Sequence, residues 1–351
     1  MNLSELTHRA SEARALDLEE IQSVSDLLLD ESIAVAERAD FLEALHRRGE
    51  TPAEIATFVE VLLERAVPLP FSGSGCLDVC GTGGDRAGFF NISTAVMFVA
   101  AGAGARVVKH GNRGITSKSG GADVLEALGV RIDRSPESAA ADLDRAGCCF
   151  LFAPAYHPAF KAVVPVRQLL ASRGSASIFN ILGPLLNPAR PEFQLAGVFE
   201  PSLVPTYAGV FKNLRRTRAW AVHGTGPDGL RVDEISPLGA TRVSAWENGA
   251  FRTFEVDPSS FGIPATTPAA LAGGDAAHNA KIILSILDTS QQAGPRHAVQ
   301  LNAAAALVIA GVAPDLPTAW SLAGATIDEG RALQALESLR DSQASGPPTR
   351  P

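Results

Sequence analysis

Several residue types are scarce in this sequence, and their scarcity excludes some classes of protein. Aromatic residues make up 6% of the 351 residues, so the hydrophobic core has to be built mainly from aliphatic side chains. There is no excess of basic residues either, because the formal net charge is −8. Proteins that bind nucleic acids usually carry a basic face. The overall charge therefore does not favour a nucleic-acid partner.

Long apolar runs are also missing. A membrane-spanning helix needs about 20 mainly apolar residues, and no part of the sequence provides them. Residues 1–15 carry charged side chains where a signal peptide would have its apolar core. We therefore expect a soluble, cytoplasmic protein with no membrane partner.

The cysteine pattern has no evident chemical meaning. Cys76 and Cys80 lie at the two ends of a predicted short strand, and Cys148 and Cys149 are adjacent. Neither spacing is typical of a zinc site or of a disulfide framework. We expect small buried thiols in a protein of a reducing compartment.

The N-terminal part of the chain has helical periodicity. Thr51 and Glu54 can form a capping box around Pro52, and apolar residues then recur at helical spacing as far as Leu62. Strands and helices alternate from residue 76: strand 76–80, helix 93–101, strand 105–109 and helix 121–128. This alternation predicts a parallel sheet with ligand-binding loops at the carboxyl ends of its strands. Further strands are expected at 150–152, 195–198 and 220–222, helices over 274–338, and a disordered tail over 341–351.

Two polar segments border the first of these helices. Glycine-rich residues 81–85 follow the first strand, where backbone N–H groups can approach an anion closely. The segment matches neither the P-loop nor the dinucleotide-binding fingerprint, and a plain tight turn remains an alternative. Residues 91–94 begin the helix, where they either cap it or form an anion site.

A cationic segment follows the second strand. Lys109 and Arg113 lie there with His110 and Asn112 between them. Because consecutive parallel strands are usually neighbours, this loop should lie beside the glycine loop, and together they predict a phosphate site. Asp233 and Glu234 follow a later strand; adjacent carboxylates are usually solvated surface, but next to an oxyanion site they suit Mg²⁺.

These segments, in this order and spacing, resemble the anthranilate phosphoribosyltransferase family. Further matching segments, over nearly the whole chain to about residue 338, are 119–126, 153–159, 165–167, 179–188, 232–236 and 301–304. The resemblance implies a small helical domain, residues 1–70 with helices returning near 165–190, and a larger α/β domain, residues 75–340, with a mostly parallel central sheet of the nucleoside phosphorylase/phosphoribosyltransferase type. It also implies a homodimer.

The resemblance further implies the reaction and its residues. The enzyme would transfer a 5-phosphoribosyl group from phosphoribosyl pyrophosphate to anthranilate, with Mg²⁺, in tryptophan biosynthesis. The catalytic residues would be Lys109, Asn112 and Arg167. Phosphoribosyl pyrophosphate would contact Gly81, Gly84, Asp85, Asn91, Ile92, Ser93, Thr94, Lys109, His110, Gly111, Asn112, Arg113 and Ser117. Anthranilate would contact Gly81, Asn112, His157 and Arg167, and the metal Ser93, Asp233 and Glu234.

The sequence departs from the usual family pattern in four places. Phe89 and Gly121 replace residues that usually carry a hydroxyl, and the segments after Arg167 and before Asp233 are longer than usual. Two other functions are weighed against the transferase. A pyrimidine nucleoside phosphorylase would need a lysine-histidine-serine-threonine loop that is absent. A non-catalytic nucleic-acid-binding relative conflicts with the complete set of charged ligand residues and with the net charge.

Overall fold

The N-terminal helices form as their periodicity and caps predict. The computed structural model of the protein describes residues 2–12, 14–114, 118–291 and 293–344. Its first four helices are α1 (Leu3–Ala10), α2 (Leu18–Leu29), α3 (Val35–Arg48) and α4 (Pro52–Leu63). The predicted capping box begins α4: the Glu54 N–H donates to Thr51 Oγ1 at 3.2 Å, and the Thr51 N–H donates to the Glu54 carboxylate at 3.0 Å.

The strands form one mixed sheet whose parallel part carries the predicted loops. The strands are β1 (Cys76–Gly81), β2 (Arg106–Gly111), β3 (Cys148–Phe152), β4 (Phe193–Gly197), β5 (Arg218–Thr225), β6 (Arg231–Val232), β7 (Thr241–Glu247) and β8 (Ala250–Val256). Their order is β3-β2-β1-β4-β5-β7-β8, with β6 paired to β5, and the first five strands in this order run parallel. The predicted adjacency of the first two strands is confirmed, so their carboxyl-terminal loops lie side by side.

The antiparallel end of the sheet was not predicted. β7 pairs antiparallel with both β5 and β8, and the turn between β7 and β8 is Asn248-Gly249. Both turn residues have positive φ, 48° and 88°. An Asn-Gly pair between two strands is a strong hairpin signal because both residues tolerate this conformation. The signal was present in the sequence and could have located the hairpin.

Helices cover both faces of the sheet. The remaining helices are α5 (Ile92–Gly102), α6 (Gly121–Ala127), α7 (Pro136–Ala146), α8 (Ala153–Tyr156), α9 (Val164–Ser172), α10 (Leu203–Asn213), α11 (Ala276–Leu287), α12 (Pro295–Ala310), α13 (Leu316–Asp328) and α14 (Arg331–Ala344). One buried cluster joins α5, α12, α13 and α14 to the sheet. A second joins α1 to α4 with α9, α10 and residues 178–186, which is where returning helical segments are expected. The domain boundaries themselves stay a prediction.

The last helix continues further than the sequence predicts. Residues 341–344, predicted to be disordered, are helical and belong to α14. Side chains at this end are anchored, since Ser342 Oγ donates to Asp142 at 2.8 Å and the Arg131 N–H donates to the Gln343 side chain at 2.7 Å. The rest of the expected tail lies outside the described residues.

Two simple expectations can be compared with the described part of the chain. All four cysteines are free thiols, and Cys76, Cys148 and Cys149 are buried, as expected. Among the described residues, no helix is both long and apolar enough to cross a membrane.

Candidate active site

Three glycines at the carboxyl ends of adjacent strands allow the Asp233–Glu234 segment to cross the sheet edge. Gly81 ends β1 and is paired with Gly197, which ends β4. A Cβ atom on Gly197 would lie 1.5 Å from the Asp233 carbonyl oxygen, and one on Gly224 of β5 would lie 2.5 Å from the Glu234 carbonyl oxygen. Any side chain at these positions would therefore push the acidic segment off the strand ends.

The Asp233 side chain faces the glycine loop. Its carboxylate accepts a hydrogen bond from the Gly83 N–H at 2.7 Å. A Cβ atom on Gly81 would approach Asp233 Oδ2 to 2.5 Å. The Asp233 N–H donates to the Asp85 carboxylate at 3.3 Å. The structure thus brings Gly81 and Asp85, predicted to contact phosphoribosyl pyrophosphate, next to Asp233, predicted to hold the metal with Glu234.

The adjacent carboxyl groups of Asp233 and Glu234 are harder to ionise than free carboxyl groups. Burial, reinforced by the nearby Asp85 carboxylate, raises the pKa of Asp233 to about 7. Burial and the Asp233 charge raise the pKa of Glu234 to about 8. Desolvation and like charges both disfavour the ionised form of a carboxyl group. A cation bound beside the pair would reverse both effects, so the site fits a positively charged ligand.

Glu234 lies near the start of α5. The Ser93 N–H and the Lys109 charge both partly offset the rise in the pKa of its carboxyl group. A carboxylate at a helix N-terminus is favoured by the helix dipole and the free N–H groups there. Ser93, predicted as a metal ligand with Asp233 and Glu234, is therefore close to Glu234.

Lys109 is buried in the middle of this group. Its ammonium donates to Ser93 Oγ at 3.1 Å and to the Val79 carbonyl oxygen, and the residue is 3% exposed. The Asp78 carboxylate is fully buried and close enough to be influenced by the Lys109 charge. It accepts a hydrogen bond from Asn187 Nδ2 at 2.9 Å, and burial raises its pKa. Lys109 thus places a positive charge near Glu234 and contacts Ser93 at the start of α5.

Asn91 immediately precedes α5 but does not cap it. Its side-chain oxygen accepts from Asn279 Nδ2 at 2.9 Å and from Ser119 Oγ at 3.2 Å. The alternative that residues 91–94 serve only as caps therefore does not apply to Asn91. Thr94 behaves similarly, because its buried hydroxyl has no hydrogen-bond partner among the described residues.

Two buried histidine rings, His110 and His157, lie in contact with each other, and His110 follows Lys109 in β2. The His110 and His157 rings are in edge contact with centroids 5.4 Å apart, and His157 stacks on Phe160. Burial lowers the pKa of His110 to about 3 and also lowers that of His157, so both rings are neutral near pH 7. His157 Nε2 is 2.7 Å from the Leu186 carbonyl oxygen, which fixes that ring, while His110 Nε2 is buried without a partner in the described part of the chain.

Arg167 and Arg113 differ in their availability for a ligand. Arg167 on α9 is exposed and makes no hydrogen bond or ion pair with any described residue. Arg113 instead pairs with Asp123 at 2.9 Å and with Glu126. Its guanidinium is predicted to contact phosphoribosyl pyrophosphate, but in the structure it forms ion pairs with two carboxylates of α6. The predicted ligand Ser117 lies outside the described residues.

The departures from the family pattern have structural counterparts. Phe89 is half-buried against the main core and forms a bridge with Ala272, so it contributes packing. A Cβ atom on Gly121 would lie 3.4 Å from the unpartnered Thr94 hydroxyl, so a serine there would be adjacent to that group. In the longer segment after Arg167, Arg173 pairs with Asp40 and Glu43 of α3.

Several residues that shape the site were given no role in the sequence analysis. Asn302 of α12 holds Ile235 by two hydrogen bonds of 2.8 Å, to its N–H and its carbonyl oxygen. Other residues also act through their contacts with site residues. The absence of side chains leaves room for the Asp233–Glu234 segment at Gly197 and Gly224. The Asn91 side chain is held by hydrogen bonds from Ser119 and Asn279. The spacing of residues in the sequence does not predict such roles, because each of these residues acts through a contact with a distant part of the chain.

The described part of the chain contains no group of three or more His, Cys, Asp or Glu side chains that could hold a metal ion. Magnesium commonly takes only one or two carboxylates from the protein and completes its octahedron with water and substrate phosphates. Two adjacent carboxyl groups such as those of Asp233 and Glu234 are therefore enough protein ligands for such an ion.

The fold and the site together define a class of protein. Residues 4–66 match the helical bundle domain of the glycosyl transferase family, and residues 73–333 match the a/b domain of the same family. The chain therefore belongs to the glycosyl transferase family that combines these two domains. Its acidic pair and its glycine-rich loop lie at the carboxyl edge of the sheet.

Similar proteins narrow the class further. The chain is 44% identical to the anthranilate phosphoribosyltransferase of Anaeromyxobacter dehalogenans, over 93% of this chain and 95% of the relative. The crystal structure of anthranilate phosphoribosyltransferase from Thermus thermophilus superposes with a TM-score of 0.88 at 35% identity, covering 97% and 99% of the two chains. The structure of the Saccharomyces cerevisiae enzyme in complex with phosphoribosyl pyrophosphate and Mg superposes with a TM-score of 0.83 at 28% identity, covering 98% of each chain. The chain belongs to the anthranilate phosphoribosyltransferase family.

Proposed function

We propose that this protein transfers the 5-phosphoribosyl group of phosphoribosyl pyrophosphate to anthranilate, giving N-(5-phosphoribosyl)anthranilate and pyrophosphate in tryptophan biosynthesis. Family membership over more than nine-tenths of the chain supports the activity. The observation that carries the proposal is the convergence of Lys109, Ser93, Asp233 and Glu234 beside the glycine loop. This cluster has the charges that a magnesium pyrophosphate group requires.

Mg²⁺ is the proposed cofactor, held by Asp233, Glu234 and Ser93. Burial, reinforced by the neighbouring carboxylates, raises the pKa values of the two carboxyl groups, and a divalent cation bound beside them would favour their ionised forms. When bound, Mg²⁺ would neutralise charge on the pyrophosphate leaving group. The Saccharomyces cerevisiae relative has been solved in complex with phosphoribosyl pyrophosphate and Mg, which supports Mg²⁺ as the cofactor.

The protein's own contribution to the reaction is positioning and electrostatic stabilisation. The glycine loop, Gly81 to Asp85, and residues Asn91 to Thr94 would hold the phosphates and ribose. Lys109 would place its charge beside the leaving group without leaving its buried position. Gly84, Ile92, Gly111 and Ser117 complete the proposed binding surface. The aromatic amine of anthranilate is neutral at pH 7, so the attack requires little prior deprotonation.

Arg167, Asn112, His157 and Gly81 would bind anthranilate. A guanidinium matches a carboxylate with two parallel hydrogen bonds, and the Arg167 side chain has no competing partner among the described residues. The buried, neutral pair His110 and His157 would form an uncharged wall for the aromatic ring. Arg113 would reach a phosphate only if its pairs with Asp123 and Glu126 opened.

The proposal extends to the assembly and the location of the protein. Two of the three exposed large hydrophobic side chains in the described residues, Leu18 and Val164, are on α2 and α9, close to the N-terminal helices. We propose a homodimer, which the resemblance to the family implies, and these exposed apolar side chains make the region of the N-terminal helices the candidate interface. A biosynthetic enzyme with free buried thiols is expected in the cytoplasm.

A fluorescence assay tests the proposal. The purified protein is mixed with anthranilate, phosphoribosyl pyrophosphate and Mg²⁺, and the loss of anthranilate fluorescence is followed. Activity should require all three components and should disappear with a metal chelator. Phosphorolysis of a pyrimidine nucleoside without transfer to anthranilate would contradict the proposal.

A further inference from the structure

Asn279 is a buried amide that connects α11 to the phosphate-binding region. It is 2% exposed and lies in the first turn of α11. Its side-chain oxygen accepts from the Gly274 N–H at 2.7 Å. Its Nδ2 donates to Asn91 Oδ1 at 2.9 Å and to Ser119 Oγ at 3.0 Å. One side chain therefore contacts both segments that flank the proposed pyrophosphate site.

The orientation of this amide is determined by chemistry. A backbone N–H can only donate, so the Asn279 atom facing the Gly274 N–H has to be the oxygen. The Asn279 NH₂ group then faces Asn91 and can only donate. The Asn91 atom that receives this hydrogen bond therefore has to be its oxygen. The hydrogen bond from the Gly274 N–H thus fixes the orientation of the Asn279 amide, and Asn279 in turn requires that the oxygen of the Asn91 amide faces it.

The consequence for Asn91 is a free donor. Its oxygen accepts two hydrogen bonds, from Asn279 and from the Ser119 hydroxyl, so both lone pairs are used. Its nitrogen donates one hydrogen to the Ser119 carbonyl oxygen at 3.3 Å. The second hydrogen has no acceptor among the described residues. Phosphate oxygens are acceptors, so an asparagine that contacts them has to present its NH₂ group.

The segment that carries Asn279 also supports the backbone before Asn91. The Phe90 N–H donates to the Leu271 carbonyl oxygen at 3.1 Å, and the Gly273 N–H donates to the Gly88 carbonyl oxygen at 2.8 Å. A Cβ atom on Gly273 would lie 2.7 Å from the Phe89 carbonyl oxygen. Residues 271–274 and Asn279 therefore hold both the backbone and the side chain of the segment that ends at Asn91.

We infer that Asn279 is a positioning residue for phosphoribosyl pyrophosphate: it turns the NH₂ group of Asn91 toward the phosphates while remaining buried itself. The inference rests on the proposed function, since it takes the pyrophosphate substrate as the ligand of Asn91. It assigns to the start of α11 a role in substrate affinity and none in anthranilate recognition.

A double-mutant cycle tests this inference. Binding of phosphoribosyl pyrophosphate with excess Mg²⁺ is measured by calorimetry for wild type, Asn91→Ala, Asn279→Ala and the double variant. Loss of one hydrogen bond to a charged group predicts about a tenfold weaker Kd for each single variant. Because Asn279 acts through Asn91, the double variant should be no more than about twofold weaker than Asn91→Ala. The KM for anthranilate should stay within about twofold of wild type. Multiplicative losses, or an equal rise in the KM for anthranilate, would overturn the inference.

A second variant and a matched control separate orientation from packing. Asn279→Leu keeps a side chain of similar size but can neither accept from the Gly274 N–H nor donate to Asn91, so it should weaken binding about as much as Asn279→Ala. Wild-type affinity in this variant would refute the inference. Gln343→Ala removes a buried amide that bonds the Arg131 backbone, away from the phosphate loops. This control should lower the melting temperature without changing the Kd; an equal loss of affinity would mean that destabilisation alone explains the result.

The calorimetric measurement also separates this inference from the proposed function. If the wild-type protein binds phosphoribosyl pyrophosphate but does not react with anthranilate, the proposed transferase activity fails while the cycle still decides the role of Asn279. If the wild-type protein does not bind it, both fail.

Discussion

The replacement of Asp233 by asparagine should stabilise the metal-free protein while reducing its activity. In an unfolded chain the carboxyl group titrates near its ordinary pKa of 3.8, but in the folded protein burial and Asp85 raise the pKa to about 7. Between these values the folded state retains a proton that the unfolded state has lost. The wild-type free energy of unfolding therefore falls as pH rises over this interval and then levels off. Asparagine does not titrate, so the variant escapes this loss.

The size of the effect follows from the pKa shift. From pH 5 to the folded pKa of about 7, two pH units at about 1.4 kcal/mol each give about 3 kcal/mol. Solvent screening of a partly exposed carboxylate reduces this to about 1–2 kcal/mol. Glu234 acts in the same direction, because its pKa is raised by the Asp233 charge and should fall in the variant. The advantage of Asp233→Asn over wild type should thus grow by about 1–2 kcal/mol between pH 5 and pH 8.

Urea denaturation with a metal chelator at both pH values measures this difference. Asp26→Asn, which changes an exposed carboxylate on α2, is the control and should show the same difference from wild type at both. If the advantage of Asp233→Asn were equal at pH 5 and pH 8, or larger at pH 5, the argument from desolvation would be wrong.

The same variant should have reduced activity that is partly restored by high Mg²⁺. Removing one ligand weakens a metal that keeps several waters without unfolding the protein. Combining it with Glu234→Gln should cost less than the sum of the two single changes, since both act through one ion. Turnover is measured against Mg²⁺ concentration for each variant. Wild-type turnover and magnesium dependence in the double variant would show that the pair is not a metal site.

Three further changes test other parts of the site. Lys109→Ala should weaken phosphoribosyl pyrophosphate binding by about 1.5–3 kcal/mol and anthranilate binding much less; calorimetry that found unchanged affinity in a folded variant would exclude Lys109 as a ligand. Arg167→Ala should raise the KM for anthranilate and spare that for the other substrate, whereas equal losses would indicate a structural role. Gly197→Ala would place a Cβ atom 1.5 Å from the Asp233 carbonyl oxygen and should destabilise the protein by about 2 kcal/mol or more. Gly183→Ala, whose Cβ atom meets nothing within 4 Å, should keep the wild-type melting temperature.

Local patterns in the sequence were sufficient for the elements that local physics controls. The capping box at Thr51 and Glu54 depends on residues three positions apart, and it forms as predicted. The strand-helix-strand order after residue 76 implied neighbouring parallel strands, and therefore adjacent ligand loops. The Asn248-Gly249 turn had an equally local signal that was overlooked. The charged and glycine-rich motifs, through their resemblance to a family, supplied the proposed reaction.

Tertiary structure alone decided how the ligand residues are oriented and charged. The sequence could not show that Glu234 lies near the start of α5, that Arg113 is paired with α6, or that Asn279 orients Asn91 from a position 188 residues away in the chain. The raised pKa of Asp233 is equally non-local, because it results from burial and from Asp85. Hydrogen bonds and charge interactions depend on distance in space, and residue types and spacings determine that distance only for near neighbours in the chain.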